Sequence, residues 1–113
     1  MKLETHKDKR GTIKDLMVGE DFSITHITFK KGAVRGNHYH KKTDQQDIIL
    51  KGKLMCYQGG YRNEVVKGQW INIVSGTPHA YKALEDSEMV SICIGKRIGK
   101  NYAKDTYKCE LIS

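Results

Sequence analysis

Two short stretches of this chain concentrate side chains able to hold a metal ion or move a proton. One runs Asn37-His38-Tyr39-His40 and on through Lys41-Lys42-Thr43-Asp44 to Gln45. The other is Gly76-Thr77-Pro78-His79-Ala80-Tyr81. Together they contain three of the five histidines. His38 and His40 are two residues apart, and on a strand such residues point to the same face, so both imidazoles can aim into one space. If residues 36–40 and 45–51 pair as a hairpin through the Lys41–Asp44 turn, Gln45 projects beside them. His79, after a Gly-Thr-Pro turn, could complete the set from a neighbouring strand. Three neutral imidazoles and an oxygen donor suit one first-row divalent ion, such as Zn, Fe, Mn or Ni.

These residues need short strands to position them, and the sequence supplies the signals. Eleven glycines break the chain, often where a short apolar run ends. Strands are expected near 12–17, 22–30, 36–40, 46–51, 53–58, 61–66, 69–74, 79–83 and 88–95. In Ser23–Phe29 the alternation is strict: Ile24, His26 and Thr28 face one way, and Ser23, Thr25, Ile27 and Phe29 the other. Gly59-Gly60 reads as a hairpin turn. The best helix candidate, near residues 100–107, could equally be a loop or a final strand. Trp70 and Ile71 read as core, His26 as a barrel-wall residue and His6 as a mobile terminal one. An all-β barrel or two-sheet jelly roll is the economical way to bury so many strands and cover their edges.

With 113 residues the chain fits a single domain, 1–113. Hydrophobic content of 38% and charged content of 29% describe a globular protein. No apolar run approaches the roughly 20 residues of a membrane helix, and the charged N-terminus lacks a secretory apolar segment, so no membrane partner and a cytoplasmic location are expected. Cys56, Cys93 and Cys109 are odd in number and form no C-x-x-C pair, which argues against a disulfide framework; Cys56 and Cys93 read as buried thiols. The net charge of +7 is spread over scattered lysines, with no recognition helix. That excludes nucleic acid as the expected partner and suits an anionic small molecule.

Both histidine patches resemble the cupin motifs, G-x5-H-x-H-x3,4-E-x6-G and G-x5-P-x-G-x2-H-x3-N. The first stands here as Gly32, His38, His40, Gln45 and Gly52, with Gln45 where glutamate is usual. The second stands as Gly68, Val74, Gly76, His79 and Ala83, with Val74 for proline and Ala83 for asparagine. The resemblance covers roughly residues 10–95. It implies a cupin jelly-roll β-barrel, a homodimer as the default assembly, and a divalent metal held by His38, His40, Gln45 and His79. Because glutamine is neutral, the ion would keep one more positive charge and be held less tightly than by a carboxylate.

A narrower resemblance joins Asp8-Lys9-Arg10-Gly11 to Arg35-Gly36-Asn37-His38-Tyr39-His40. Both strings are similar to cupin enzymes acting on nucleotide-linked keto sugars, the dTDP-4-dehydrorhamnose 3,5-epimerases and the dTDP-4-keto-6-deoxyhexose 3,4-ketoisomerases. In the latter, Gln is a family residue and histidines move protons without a metal. This likeness implies an isomerase or epimerase of sugar-nucleotide or polysaccharide metabolism. His38 or His40 would be the base, and Arg35 would pair with a diphosphate oxygen. Tyr39, Tyr57 or Tyr81 could supply an acid; Tyr81, two beyond His79, is the catalytic candidate and Tyr57 a substrate-binding one. Asp47 shares a strand face with Gln45 and is a candidate substrate contact, inward acid or anchor for a histidine. Two alternatives stand beside this: a metal-dependent dioxygenase or lyase-type cupin on a small organic acid, and a non-catalytic module that binds a small ligand.

Overall fold

The structure, a computed structural model, describes residues 3–95 and 104–112. They form β1 (Thr5–Asp8), β2 (Gly11–Val18), β3 (Phe22–Phe29), β4 (Val34–Tyr39), β5 (Asp44–Lys51), β6 (Lys53–Gln58), β7 (Tyr61–Val66), β8 (Trp70–Ile73), β9 (His79–Ala83), β10 (Ser87–Ile94) and β11 (Tyr107–Lys108). These make two antiparallel sheets, ordered β1-β2-β3-β10-β5-β8 and β11-β4-β9-β6-β7. The fold is the expected all-β jelly roll, but hydrogen bonding leaves it as two sheets around one interior, not a single closed cylinder. Within residues 100–107, only 104–107 are described; they hold a short helical turn at 104–105 and the start of β11. The remainder of that helix candidate lies outside the described residues. No described helix is long and apolar enough to cross a membrane.

Alternation decides which side chains enter the interior. On β3, Ser23 and Phe29 are buried, and Thr25 and Ile27 line the cavity with them, as the sequence pattern requires. On β10, Ser87, Met89, Ser91 and Cys93 are buried while the residues between them face outward. Phe29, Ile49, Leu54, Ile71, Ala83 and Met89 pack into the apolar core. A fully buried side chain of this size contributes about 1.5–3 kcal/mol over its exposed state. Gly52 carries the chain from β5 in one sheet to β6 in the other. Its φ is +87°, and a Cβ there would come within 2.7 Å of Ser87 Cα, so only glycine fits the corner.

Three expectations are corrected here. Residues 36–40 and 45–51 do not form a hairpin: β4 pairs with β9 and β11, and β5 with β10 and β8. The Lys41–Asp44 connection crosses between sheets, so Gln45 faces the cavity of His38 and His79 from the opposite sheet. Trp70 is not core. It is 63% exposed, because β8 is an edge strand whose alternate residues, Ile71 and Ile73, take the inward positions. His6 is not loose: it lies in β1, paired with Ile13 of β2. The expected turn at Gly59-Gly60 joins β6 to β7, with Gln58 opposite Tyr61, and His26 sits on the outer wall, its Nε2 3.0 Å from Glu88.

Candidate metal centre

A break in the register of β4 builds one wall of the site. Arg35 pairs with Tyr81 and Gly36 with Ala80; the register then shifts and His38 pairs with His79. Gly36 (φ +95°) and Asn37 (φ +58°) both adopt the left-handed region, which glycine and asparagine tolerate best. A Cβ on Gly36 would lie 2.8 Å from the His79 carbonyl oxygen. The extra residue of this bulge turns Arg35 and His38, three apart, toward the same cavity. His40, two beyond His38, follows the ordinary alternation and is 2% exposed.

The three imidazoles converge. Ring centroids are 4.6 Å apart for His38–His79, 4.8 Å for His38–His40 and 5.2 Å for His40–His79. One nitrogen from each lies within 4.8 Å of the others, close enough for a single ion to reach all three after small side-chain shifts. Two rings have their tautomers fixed. His40 Nδ1 lies 2.9 Å from the Asp105 carbonyl oxygen, and His79 Nδ1 lies 3.0 Å from that of Thr77. A carbonyl only accepts, so each Nδ1 carries a proton, and in His79 the Nε2 is left as the acceptor. His79 Nε2 is buried without a hydrogen-bond partner. Burial, then the neighbouring rings of His79 and His40, hold the His38 pKa down at about 3. Burial lowers His79 to about 4 against the raising effect of its Thr77 hydrogen bond. Both rings are neutral at pH 7, the form that binds a metal.

Gln45 supplies the fourth acceptor. Its amide nitrogen donates to both carboxylate oxygens of Asp47, at 3.0 and 2.9 Å. This fixes the amide's sense, because the reverse would press its oxygen against a carboxylate. Gln45 Oε1 is left buried and unpartnered. Buried acceptors without donors are rare and costly. One of the two belongs to the cluster of three imidazoles and the other lines the same cavity, so the residues present suit a divalent ion held by His38, His40 and His79, with Gln45 as a candidate fourth ligand.

Behind them lies a polar layer. Asp47 is fully buried and accepts the hydroxyl hydrogen of Tyr81. Burial raises the Asp47 pKa, partly offset by hydrogen bonds from Tyr81, Ser91 and Gln45. Burial and the adjoining Asp47 raise the Tyr81 phenol well above its ordinary value. Tyr81 therefore keeps its proton and donates a hydrogen bond to Asp47, which makes it an anchor in this structure. Asp47 anchors Gln45 in turn, where an anchor for a histidine was one of the roles its strand face suggested.

The cavity in front has a volume of about 560 Å³. Phe29, Ile27 and Met89 form its apolar side, and Arg35, His38, Gln45, His79 and Tyr81 its polar side. Arg35 is 8% exposed. Its guanidinium donates to the Thr28 carbonyl at 3.1 Å and lies 5.5 Å from the Phe29 ring centroid, but its Nε is buried and unpartnered. Burial, then the charge of Arg10, lowers its pKa; arginine still remains a cation at neutral pH. Arg10 lies at the cavity, its guanidinium 2.7 Å from Asp8. The other tyrosines lie elsewhere. Tyr57 alternates with buried Leu54 and Cys56, so it points to the outer face of β6, away from the cavity to which it was expected to contribute. Tyr39 stacks on Tyr107 with centroids 5.3 Å apart.

Asp105 is the residue that sequence reasoning missed. Besides its carbonyl contact with His40, its carboxylate accepts from the Thr43 hydroxyl (2.7 Å) and the backbone amides of Lys42 (2.9 Å) and Lys41 (3.1 Å). Although burial pushes its carboxyl up, these donors hold it below the ordinary value. It thereby pins the β4–β5 crossing. Nothing in the spacing of the chain marks a residue 65 positions from His40 as its partner.

This fold and this site define a class. The Cupin domain model matches residues 25–95, and the chain belongs to the cupin family. Quercetin 2,3-dioxygenase of Bacillus subtilis is 36% identical over 64 residues, spanning 57% of this chain and 19% of that protein. UDP-2-acetamido-2,6-beta-L-arabino-hexul-4-ose reductase of Pseudomonas aeruginosa is 24% identical over 115 residues, spanning 94% of this chain and 31% of the relative. The capsular polysaccharide assembling protein CapF of Staphylococcus aureus superposes with a TM-score of 0.78 at 22% identity, over 98% of this chain and 33% of CapF. The chain thus spans a third or less of each of these proteins, and the CapF likeness is one of fold.

Proposed function

We propose that this protein is a metal-binding isomerase or epimerase acting on an anionic keto sugar, of the kind handled in sugar-nucleotide or polysaccharide metabolism. The observation that carries this reading is the meeting, around one cavity, of buried imidazole and amide acceptors with the buried Arg35 guanidinium. His38, His40, His79 and Gln45 would hold the ion, which when bound supplies Lewis acidity toward a carbonyl oxygen. Arg35 binds the anionic group, whether carboxylate or phosphate, through its planar fork. Phe29, Ile27 and Met89 cover the sugar's apolar face and limit water. The names of the hexulose reductase and the polysaccharide protein support a sugar substrate, and that of the quercetin dioxygenase the competing oxidative reading.

Gln45 favours a second reading, proton transfer without a metal. His38 is then the base: it is the least buried of the three rings, it lines the cavity, and among the described residues no hydrogen bond fixes it. Its lone pair can hold an ion or take a proton, but not both. A cytoplasmic homodimer is the form we propose. The outer face of the larger sheet supports the dimer, with Trp70, Ile48 and Val90 forming one apolar row across three strands. The buried thiol of Cys56 suits a reducing compartment.

The test is proton–deuterium exchange on a panel of keto-sugar acids and nucleotide-linked keto sugars. Exchange above a His38→Ala control that is lost on chelation and restored by metal supports the first reading, whereas exchange that survives chelation supports the second. Oxygen uptake with no exchange contradicts both.

A further inference from the structure

The site lacks the carboxylate usual at position 45, yet a carboxylate lies buried immediately behind it. Asp47 is 0% exposed, and among the described residues no lysine or arginine forms an ion pair with it. Its oxygens accept from the Gln45 amide, the Tyr81 hydroxyl and Ser91. Apart from the nearby His40 imidazole, its compensation comes from neutral donors, and a cation in the adjoining cavity would stabilise a buried carboxylate further. The cavity in front of it has the opposite need: two buried acceptors, Gln45 Oε1 and His79 Nε2, have no donor. One side chain separates the two.

We propose that Asp47 is the positioning and charge-balancing residue of the metal centre. By holding the Gln45 amide nitrogen at both oxygens, it leaves Gln45 Oε1 as the free acceptor at the cavity that His38 and His79 also line. It also supplies, one side chain further back, the negative charge that a glutamate at position 45 would have supplied directly. The inference rests on the metal-binding reading. It adds that Gln45 and Asp47 act as one unit whose amide and carboxylate can exchange places.

The experiment measures Zn(II) affinity by chelator competition and records the visible spectrum of the Co(II)-loaded protein, for wild type, Asp47→Asn, Gln45→Glu and the double variant Gln45→Glu/Asp47→Asn. Thermal unfolding of each metal-free protein reports on folding. Asp47→Asn keeps an acceptor for the Gln45 amide but removes the charge, and its affinity is expected to fall about 10–100-fold, the usual effect of an outer-shell partner. Gln45→Glu places two carboxylates in contact, so its metal-free form should unfold at a lower temperature than wild type. The double variant restores one amide and one carboxylate, and its affinity should return to within about 10-fold of wild type or exceed it. Asp47→Asn binding as tightly as wild type, or a double variant no better than Asp47→Asn, would overturn the proposal while leaving the metal reading intact. If Asp47→Asn does not fold, the double variant decides alone. Wild type that binds neither ion removes both readings.

Discussion

The interior of this protein has two ends, built from the same strands and opposite in chemistry. On β5 the inward positions run Gln45, Asp47, Ile49; on β9 they run His79, Tyr81, Ala83; on β10, read backwards, Cys93, Ser91, Met89. The registers align these series, with Cys93 opposite Gln45, Ser91 opposite Asp47 and Met89 opposite Ile49. One end is therefore packed apolar core and the other a lattice of buried polar groups. The apolar end is stabilised by area removed from water and tolerates no loss of volume. The polar end is stabilised only if each donor finds its acceptor, and two acceptors, Gln45 Oε1 and His79 Nε2, are left over. The lesson is that the candidate metal site need not resist unfolding by itself. The far end of each strand does that, and the near end is free to carry groups that are costly without a ligand.

Substitutions at the two ends should separate these roles. The largest effect is expected from His79→Ala. It removes an imidazole whose bare nitrogen faces the cluster, and zinc affinity should fall by more than the about 10–100-fold typical of an outer-shell change, as read by chelator competition. Leu54→Ala, at the apolar end, should lower stability by about 2–5 kcal/mol in urea denaturation, with metal stoichiometry of the folded fraction unchanged. If it also cost metal, the two ends would be one cooperative unit. Asp105→Ala should act on both to a smaller extent. It releases three donors at the β4–β5 crossing and loosens the carbonyl that fixes His40, so affinity should fall about 10-fold, measured by the same competition.

A further contrast concerns pH. His38 and His79 stay neutral in the fold down to about 3 and about 4, whereas an unfolded histidine titrates near 6.5. Between those limits the unfolded chain binds protons that the folded protein does not, so stability should be complete above pH about 6.5 and decline as pH falls toward 4. Urea midpoints of the metal-free protein at a series of pH values check this, and His79→Gln should flatten the decline.

Local rules carried much of this into view from sequence. The two-residue spacing of His38 and His40 and the inward alternation of β3 need only strand periodicity, and each strand inferred from Thr12 to Gly95 has a counterpart within a few residues. The same rule would have turned Tyr57 outward once Leu54 and Cys56 were assigned to the interior, and Trp70 outward from Ile71. What alternation could not show was long-range. The bulge at Gly36-Asn37, which brings Arg35 and His38 onto one wall, depends on the approach of the His79 backbone. The crossing of Lys41–Asp44 between sheets, and the return of Asp105 to His40, depend on which strands become neighbours, and strand spacing is silent on that.

The central claim is that His38, His40, His79 and Gln45 surround one divalent ion. Anomalous X-ray scattering from crystals of the zinc-loaded protein tests it most directly. One strong peak within bonding distance of those three imidazoles and the Gln45 oxygen is the predicted result. A peak elsewhere on the chain, or full zinc loading with the Gln45 oxygen turned away from the ion, would contradict it.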